Sequence, residues 1–171
     1  VNTPDILHEY LQRGGPAAFA ARLVLAGTLS PTYGIYSGFE RFENEPVREG
    51  SEEYLDSEKY EVKERTLEGA PLLPLLKRLN RIRRENPALQ RVDNLAFLET
   101  ESENLLAYVK VTGDNAVATV VNLDPFAGHE GVTILPASLG LPPSFPAKEL
   151  LTDEEFAWRT GRNYVRLEPG Q

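Results

Sequence analysis

The sequence predicts a protein of mixed class, with an α/β region over residues 1–90 and an all-β region over residues 91–171. Amphipathic helical patterns precede residue 90, and short β-prone runs separated by Gly, Pro and Asn follow it. The charge also differs between the two regions. Residues 1–90 carry 12 basic and 14 acidic side chains, whereas residues 91–171 carry 6 basic and 12 acidic ones. We therefore expect two domains that meet near residue 90.

The first region is expected to contain three helices. Thr3-Pro4 is typical of a helix start, with Thr as the N-cap and Pro in the first turn, and Gly14-Gly15 ends this short helix. The pattern predicts a second helix over residues 17–29 and a third over residues 71–86. The third helix is the clearest, because its Leu and Ile side chains recur on one face while Lys and Arg crowd its C-terminal end.

A strand and a long loop are predicted between these helices. Residues 32–38 are β-prone and bounded by turn residues, which predicts one buried strand of an α/β unit. Residues 40–69 are acidic and show no periodicity, and a loop of this length is usually either functional or disordered. Aromatic residues alternate with charges over residues 54–60, which favours a functional loop.

The second region is predicted to form an antiparallel β-sandwich. Short strands joined by Gly, Pro and Asn turns are typical of that architecture, and Gly113-Asp114-Asn115 predicts a hairpin turn. Trp158 and Phe156 are expected to pack in the core rather than to form a sugar platform. The predicted strands are residues 94–98, 105–111, 116–123 and 131–135, with two further candidates at residues 148–151 and 164–167.

Composition excludes several classes of function. A net charge of −8 argues against nucleic acid as a partner, and no apolar run approaches the length that spans a membrane. The absence of Cys fits a cytoplasmic protein. His8 and His129 lack metal-ligand spacing and no phosphate-binding Gly-rich loop is present, so neither a metal nor a cofactor is expected. The chain starts with Val and contains no Met, which we interpret as a piece of a longer protein.

The order of these segments resembles the last part of an α-amylase-superfamily enzyme. The segment Asn2-Thr3-Pro4-Asp5 is similar to the final catalytic segment of that superfamily, and residues 36–40 are similar to the end of its eighth barrel strand. Typical amylases have Asn-His-Asp in this catalytic segment, and the His is missing here. Together with residues 48–60, this version resembles the maltose-1-phosphate maltosyltransferases. The resemblance implies that residues 1–90 are the last part of a (β/α)8 TIM barrel.

The same resemblance implies a reaction and a set of site residues. The reaction is a retaining transfer of maltosyl units from α-maltose 1-phosphate to the non-reducing end of α-1,4-glucans, through a β-maltosyl-enzyme and with release of phosphate. Asp5 takes the role of the third carboxylate, which stabilises the transition state. Lys59 is expected to bind donor-sugar hydroxyls beside Glu58 and Tyr60, and Asn2 to support Asp5. The nucleophile and the acid/base would precede residue 1, so the chain alone is expected to be inactive.

Other interpretations remain open at this point. Asp5 in the first turn of a helix would complement the helix dipole without any catalytic role, and Lys59 would be an ordinary solvated lysine. The parent could be another superfamily hydrolase or isomerase, or the chain could be a non-enzymatic carbohydrate-binding or structural β module. Family members associate as dimers, which makes a homodimer possible. The barrel remnant is expected to be loosely folded, packed on the sandwich or paired with another copy.

Overall fold

The computed structural model describes residues 2–59 and 61–171, which form two helices followed by seven strands. Neither described helix combines the length and the apolar composition that a membrane crossing requires. The helices are α1 (Glu9–Leu29) and α2 (Leu73–Glu85), and the strands are β1 (Leu95–Thr100), β2 (Leu105–Thr112), β3 (Asn115–Asn122), β4 (His129–Leu135), β5 (Ser144–Lys148), β6 (Glu155–Arg159) and β7 (Gly161–Leu167).

Helix α1 begins later than the sequence predicts. The Thr3 hydroxyl accepts hydrogen bonds from the backbone N–H groups of Asp5 and Ile6, so Thr3 forms a turn rather than capping a helix. The helix is capped instead by His8, whose Nδ1 accepts from the Tyr10 N–H at 3.1 Å. The predicted break at Gly14-Gly15 is present as a kink, because Gly15 has φ 55° and ψ −155°, a conformation that strongly favours glycine.

The predicted strand over residues 32–38 is wrong. These residues pair with no other strand in the described part of the chain, and Ser37 and Gly38 form a turn. Their β-prone side chains are partly buried by packing, since Tyr33, Ile35 and Tyr36 contact the core formed by α1 and α2. Residues 2–59 and 61–90 therefore show two helices and long loops but no barrel strands.

The two helices pack closely on each other and on the sheet. Gly27 of α1 lies directly against the buried Leu79 of α2, where a side chain larger than hydrogen would collide. On its other side, α1 places Ala21 and Val24 against the buried Val121 of β3. Of the three arrangements expected for the first region, the structure therefore has it packed on the β region. The core between the helices and loops contains Leu7, Leu11, Ala18, Phe19, Leu23, Phe39, Tyr54, Leu72 and Leu79.

Five strands form one antiparallel sheet in the order β3-β2-β1-β4-β7. The predicted turn joins β2 to β3 in a hairpin, with Thr112 opposite Asn115 and Gly113 at φ 56°. Strand β1 pairs with β2 over its first four residues and with β4 over its last two, so the sheet changes partners along β1 and curls. This curl gives the sheet two differently covered faces.

A two-stranded ribbon of β5 and β6 covers one face of the sheet and completes a sandwich. Trp158 of β6 and Phe145 of β5 pack against the buried Leu98 and Val109, which confirms the core role predicted for Trp158. The same prediction for Phe156 is wrong, because this residue is 48% exposed. The predicted strand at residues 148–151 is wrong, because β5 ends at Lys148 and a turn follows. Strand β6 was not predicted at all. Its sequence Glu-Phe-Ala-Trp-Arg does not alternate cleanly between apolar and polar residues. A ribbon with one face open to solvent does not require such alternation.

Candidate functional site

The structure brings Asp5 and Lys59 together although they are 54 positions apart. The Lys59 Nζ lies 2.5 Å from the Asp5 carboxylate and 3.7 Å from Glu53. The Asp5 side chain is 65% exposed and that of Lys59 is 37% exposed, so the contact lies on an open surface. The predicted role of Asp5 as a helix-dipole partner loses its basis, because α1 starts at Glu9.

Asn2 lies beneath this surface. It is buried, and its Nδ2 donates a hydrogen bond to the hydroxyl of Tyr54, which is also buried. Its Oδ1 has no hydrogen-bond partner among the described residues. Asn2 therefore anchors the start of the chain onto the long loop. Tyr60, the remaining predicted neighbour of Lys59, lies outside the described residues.

Glu58 belongs to a second polar cluster next to Lys59. Its carboxylate accepts a hydrogen bond from the Tyr36 hydroxyl and one from Arg65 Nη1 at 2.7 Å. Arg65 also donates two hydrogen bonds of 2.8 Å to the carboxylate of Glu43, in a bidentate fork. Tyr36 also packs against Tyr54, with the two rings tilted by 58° and their centroids 5.7 Å apart. This chain of contacts links Glu58 to the support beneath Asn2.

The electrostatics of this cluster keep its members charged at neutral pH. Hydrogen bonds from Tyr36 and then Arg65 lower the pKa of Glu58, and Arg65 lowers the pKa of Glu43. The two carboxylates raise the pKa of Arg65, with the Glu43 hydrogen bond contributing most. Burial, reinforced by Glu58, raises the pKa of Tyr36 to about 12, so Tyr36 stays a hydrogen-bond donor.

The loop that carries these residues is held in place along its length. The Leu7 N–H donates to the Glu52 carbonyl at 2.6 Å, and Pro46 and Tyr54 form an isolated β-bridge. Two non-glycine residues of the loop have left-handed backbone angles, Phe42 at φ 60° and Asp56 at φ 53°. Such strained residues persist only where surrounding contacts hold them, and they cluster at functional sites.

Sequence reasoning missed Arg65, Glu43 and the polar contact of Tyr36. Arg65 stands near the end of the acidic loop, and its type suits the bidentate pairing that it makes. An arginine in an acidic loop was the one signal in the sequence for this pairing. The path of the loop, which brings position 65 back to position 43, was not visible in it.

The predicted site is separate from two grooves on another part of the described surface. These open grooves, of about 530 and 300 Å³, lie beside the kink of α1 and share Gly14 and Pro125 in their walls. Neither groove is lined by Asn2, Asp5, Glu58 or Lys59. The candidate site is thus an open polar surface and would bind a small ligand only with further walls.

The two histidines have local structural contacts. His8 caps α1, and His129 Nε2 lies 2.8 Å from an Asp124 carboxylate oxygen. Among the described residues, no three His, Cys, Asp or Glu side chains are arranged to hold a metal ion.

Comparison with known proteins identifies the family that this sequence resembles. Residues 97–171 match the family model described as GLGE, C-terminal. The chain is 55% identical to α-1,4-glucan:maltose-1-phosphate maltosyltransferase 1 of Streptomyces coelicolor over 99% of its own length, and 50% identical to the maltosyltransferase of Mycolicibacterium smegmatis over 100%. In both cases it spans only 26% of the relative.

A solved structure with a similar fold is an Anoxybacillus α-amylase. It superposes with a TM-score of 0.62 over 91% of this chain and 31% of the amylase, at 15% sequence identity. The α-amylase likeness therefore concerns the fold alone. The sequence likeness is much more specific: nearly the whole chain corresponds to a C-terminal region of the α-1,4-glucan:maltose-1-phosphate maltosyltransferase family.

Proposed function

We propose that the chain is the C-terminal part of a retaining maltosyltransferase. The parent enzyme takes maltosyl units from α-maltose 1-phosphate and adds them to the non-reducing end of α-1,4-glucans. The observation that carries this proposal is the high identity, over nearly the whole chain, to proteins named for that reaction. The contact between Asp5 and Lys59 supports it further.

The two regions have different roles in this proposal. Residues 1–90 are the last part of a (β/α)8 barrel, whose other strands would supply the missing walls around Asp5. The fold similarity to an α-amylase supports this assignment. The β-sandwich of residues 91–171 is a structural support, because the face of its sheet that carries Val121 is covered by α1. The domain boundary near residue 90 and a cytoplasmic location stay predictions.

The reaction proceeds in two displacements. An Asp nucleophile supplied by the parent attacks the anomeric carbon, and the bond to phosphate breaks with its electron pair leaving on phosphate. The acid/base residue gives its proton to the leaving phosphate. A 4-hydroxyl of the glucan then attacks the anomeric carbon of the β-maltosyl-enzyme, the ester bond to the Asp breaks with its electron pair returning to that carboxylate, and the hydroxyl proton passes to the acid/base residue. Asp5 contributes a negative charge close to the positively charged transition state, and Lys59 donates hydrogen bonds to sugar hydroxyls.

The charge of the site favours sugar over phosphate at this surface. Four carboxylates, of Asp5, Glu43, Glu53 and Glu58, surround the cations of Lys59 and Arg65. With Lys63, whose charge also acts on Glu43 and Glu58, the formal charge of this group is −1, which would repel a phosphate dianion. Carboxylates and a lysine ammonium instead match the hydroxyl groups of a sugar. The phosphate of the donor is therefore bound by other parts of the parent.

A hybrid enzyme tests this function. Residues 1–171 replace the corresponding stretch of the Streptomyces coelicolor relative, and phosphate release from maltose 1-phosphate is measured with and without glycogen. We expect release that depends on glycogen, and no release from the 171-residue chain alone. Release without glycogen would favour a hydrolase, and an inactive hybrid beside an active parent enzyme would contradict the proposal.

Asp5→Asn in the hybrid tests the assigned role of the carboxylate. We expect kcat to fall about a hundredfold or more, as for other groups that stabilise a charged transition state. Asp93→Asn is a matched control, because its carboxylate is 62% exposed and lies 2.6 Å from Arg91. The control should keep activity within about twofold, since an exposed ion pair contributes little. Equal activity of both variants would remove Asp5 from the site.

Binding of carbohydrate by the sandwich alone has little support. Trp158 is packed in the core, and no ring contact in the described chain joins two exposed aromatic side chains. A homodimer of the parent stays a prediction that sedimentation of the full-length hybrid would test.

A further inference from the structure

Arg65 of the long loop donates three hydrogen bonds to carboxylates. Its side chain is only 9% exposed, and its guanidinium donates to Glu43 and to Glu58, residues that are 15 positions apart. The Glu43 carboxylate is in turn packed against Gly38, at a position where a Cβ atom would collide with it. Arg65 thus ties together the beginning, the middle and the end of the loop.

The loop segment that Arg65 holds is the one that carries Lys59. The Glu58 carboxylate is bonded to Arg65 and to Tyr36, so this side chain is held at two points. Lys59 follows directly and reaches Asp5. Asp56, with its left-handed φ of 53°, lies just before this segment and needs such external support.

We propose that Arg65 is a positioning residue, which sets the orientation of Lys59 toward Asp5 and thereby toward the donor sugar. Arg65 contacts neither Asp5 nor Lys59 through any described bond, so its effect on them passes through Glu58. The part of this inference that concerns the sugar rests on the proposed function. The part that concerns Lys59 does not.

The chemistry of the pair explains why arginine is required. A guanidinium presents its donors as a rigid planar fork, which bonds one carboxylate bidentately and a second at the same time. Lysine has the same charge but no fork, so it would hold only one carboxylate well. Arg65→Lys should therefore keep part of the effect, and Arg65→Gln should lose most of it.

The first measurement follows Lys59 in the 171-residue chain, without any activity. The rate at which a small amine-acylating reagent modifies Lys59 is measured by mass spectrometry. In Arg65→Gln we expect this rate to rise roughly two- to fivefold, because the exposed ion pair to Asp5 is released. Lys77, which is exposed on α2 and lies outside the loop, serves as the internal reference.

Arg78→Gln is the matched control variant. Arg78 also joins distant segments, through Asp153 at 2.6 Å and the Leu150 carbonyl at 2.7 Å, but it lies away from the candidate site. The Lys59 rate should be unchanged in this variant. If Arg65→Gln does not fold, Glu43→Gln removes the other half of the fork and carries the same expectation. An unchanged Lys59 rate in a folded variant would overturn the proposal.

The second measurement uses the hybrid maltosyltransferase. Arg65→Gln should raise the KM for maltose 1-phosphate about tenfold, with a smaller change in kcat and an intermediate KM for Arg65→Lys. A faster-reacting Lys59 with an unaltered KM would contradict the assignment of Lys59 to the donor sugar, and would leave the positioning role intact. A general loss of folding would instead lower kcat in both the Arg65 and the Arg78 variants, without a selective rise in the KM of the Arg65 variants.

Discussion

The contact between Gly27 and Leu79 provides a quantitative test of how the helices support the site. A Cβ atom added at Gly27 would fall onto the Leu79 Cδ2 atom and lie 3.1 Å from its Cγ atom. Leu79 is only 2% exposed and belongs to the core that also contains Tyr54. Gly27→Ala therefore requires α1 and α2 to separate or Leu79 to change rotamer.

Two opposing effects decide the size of the change. Ala is favoured over Gly inside a helix by about 1 kcal/mol. Overpacking of a well-filled core costs about 1–3 kcal/mol. Because the collision here is direct, we expect the upper part of that range and a net loss of about 1–2 kcal/mol in the free energy of unfolding. Leu79→Ala alone should cost about 2–5 kcal/mol, because it leaves a cavity.

The double variant separates the collision from other effects. With Leu79→Ala, the Cβ atom at position 27 has space. The loss of unfolding free energy in the double variant should therefore be smaller than the sum of the two single losses, by more than about 1 kcal/mol. Gly34→Ala is the control, because a Cβ atom there meets nothing within 4 Å. Urea unfolding, followed by circular dichroism, gives the free energy of unfolding of the unchanged chain, the two single variants, the double variant and the Gly34→Ala control. Additive losses within about 0.5 kcal/mol, or a more stable Gly27→Ala, would refute the packing argument.

Three further changes test other parts of the structure. Burial raises the pKa of Tyr108 to about 12. Its contribution to the free energy of unfolding should therefore be fully present below pH 10 and fall by about 3 kcal/mol between pH 10 and 12, and urea midpoints should fall less over this range in Tyr108→Phe. Lys110→Met should lose about 1–3 kcal/mol, because buried Lys110 donates to the Leu29 and Arg91 carbonyls; equal stability in urea would contradict this. Gly15→Ala should lose about 1–3 kcal/mol, with a lower melting temperature, because of its φ of 55°; an unchanged temperature would speak against the kink.

The elements that the sequence predicted well are those with local causes. Helix α2 was predicted over residues 71–86 and spans Leu73–Glu85. The hairpin of β2 and β3 was predicted from the turn that contains Gly113. In each case the pattern repeats every two to four residues, and the side chains that produce it are close neighbours in the chain.

The elements that the sequence predicted wrongly depend on distant neighbours. Residues 32–38 have β-prone side chains but pair with no described strand, and packing on the helices replaces pairing. Strand β6 has an irregular pattern and exists because β5 lies beside it. The start of α1 moved to Glu9 because the Thr3 hydroxyl closes a turn of its own. Long-range contacts outweighed local propensity at residues 32–38 and at β6, whereas at the start of α1 one local interaction replaced another.

By itself the sequence determined the family resemblance, the amphipathic helix α2, the β character of the second region and the choice of Asp5 and Lys59 as candidate residues. Only the tertiary structure decided that these two side chains meet at 2.5 Å, that Arg65 holds the loop between them, and that α1 packs on β3. The physical reason is the range of the interactions. Periodicity and turn chemistry act over a few residues, whereas the meeting of Asp5 with Lys59 depends on the path of the 53 residues between them.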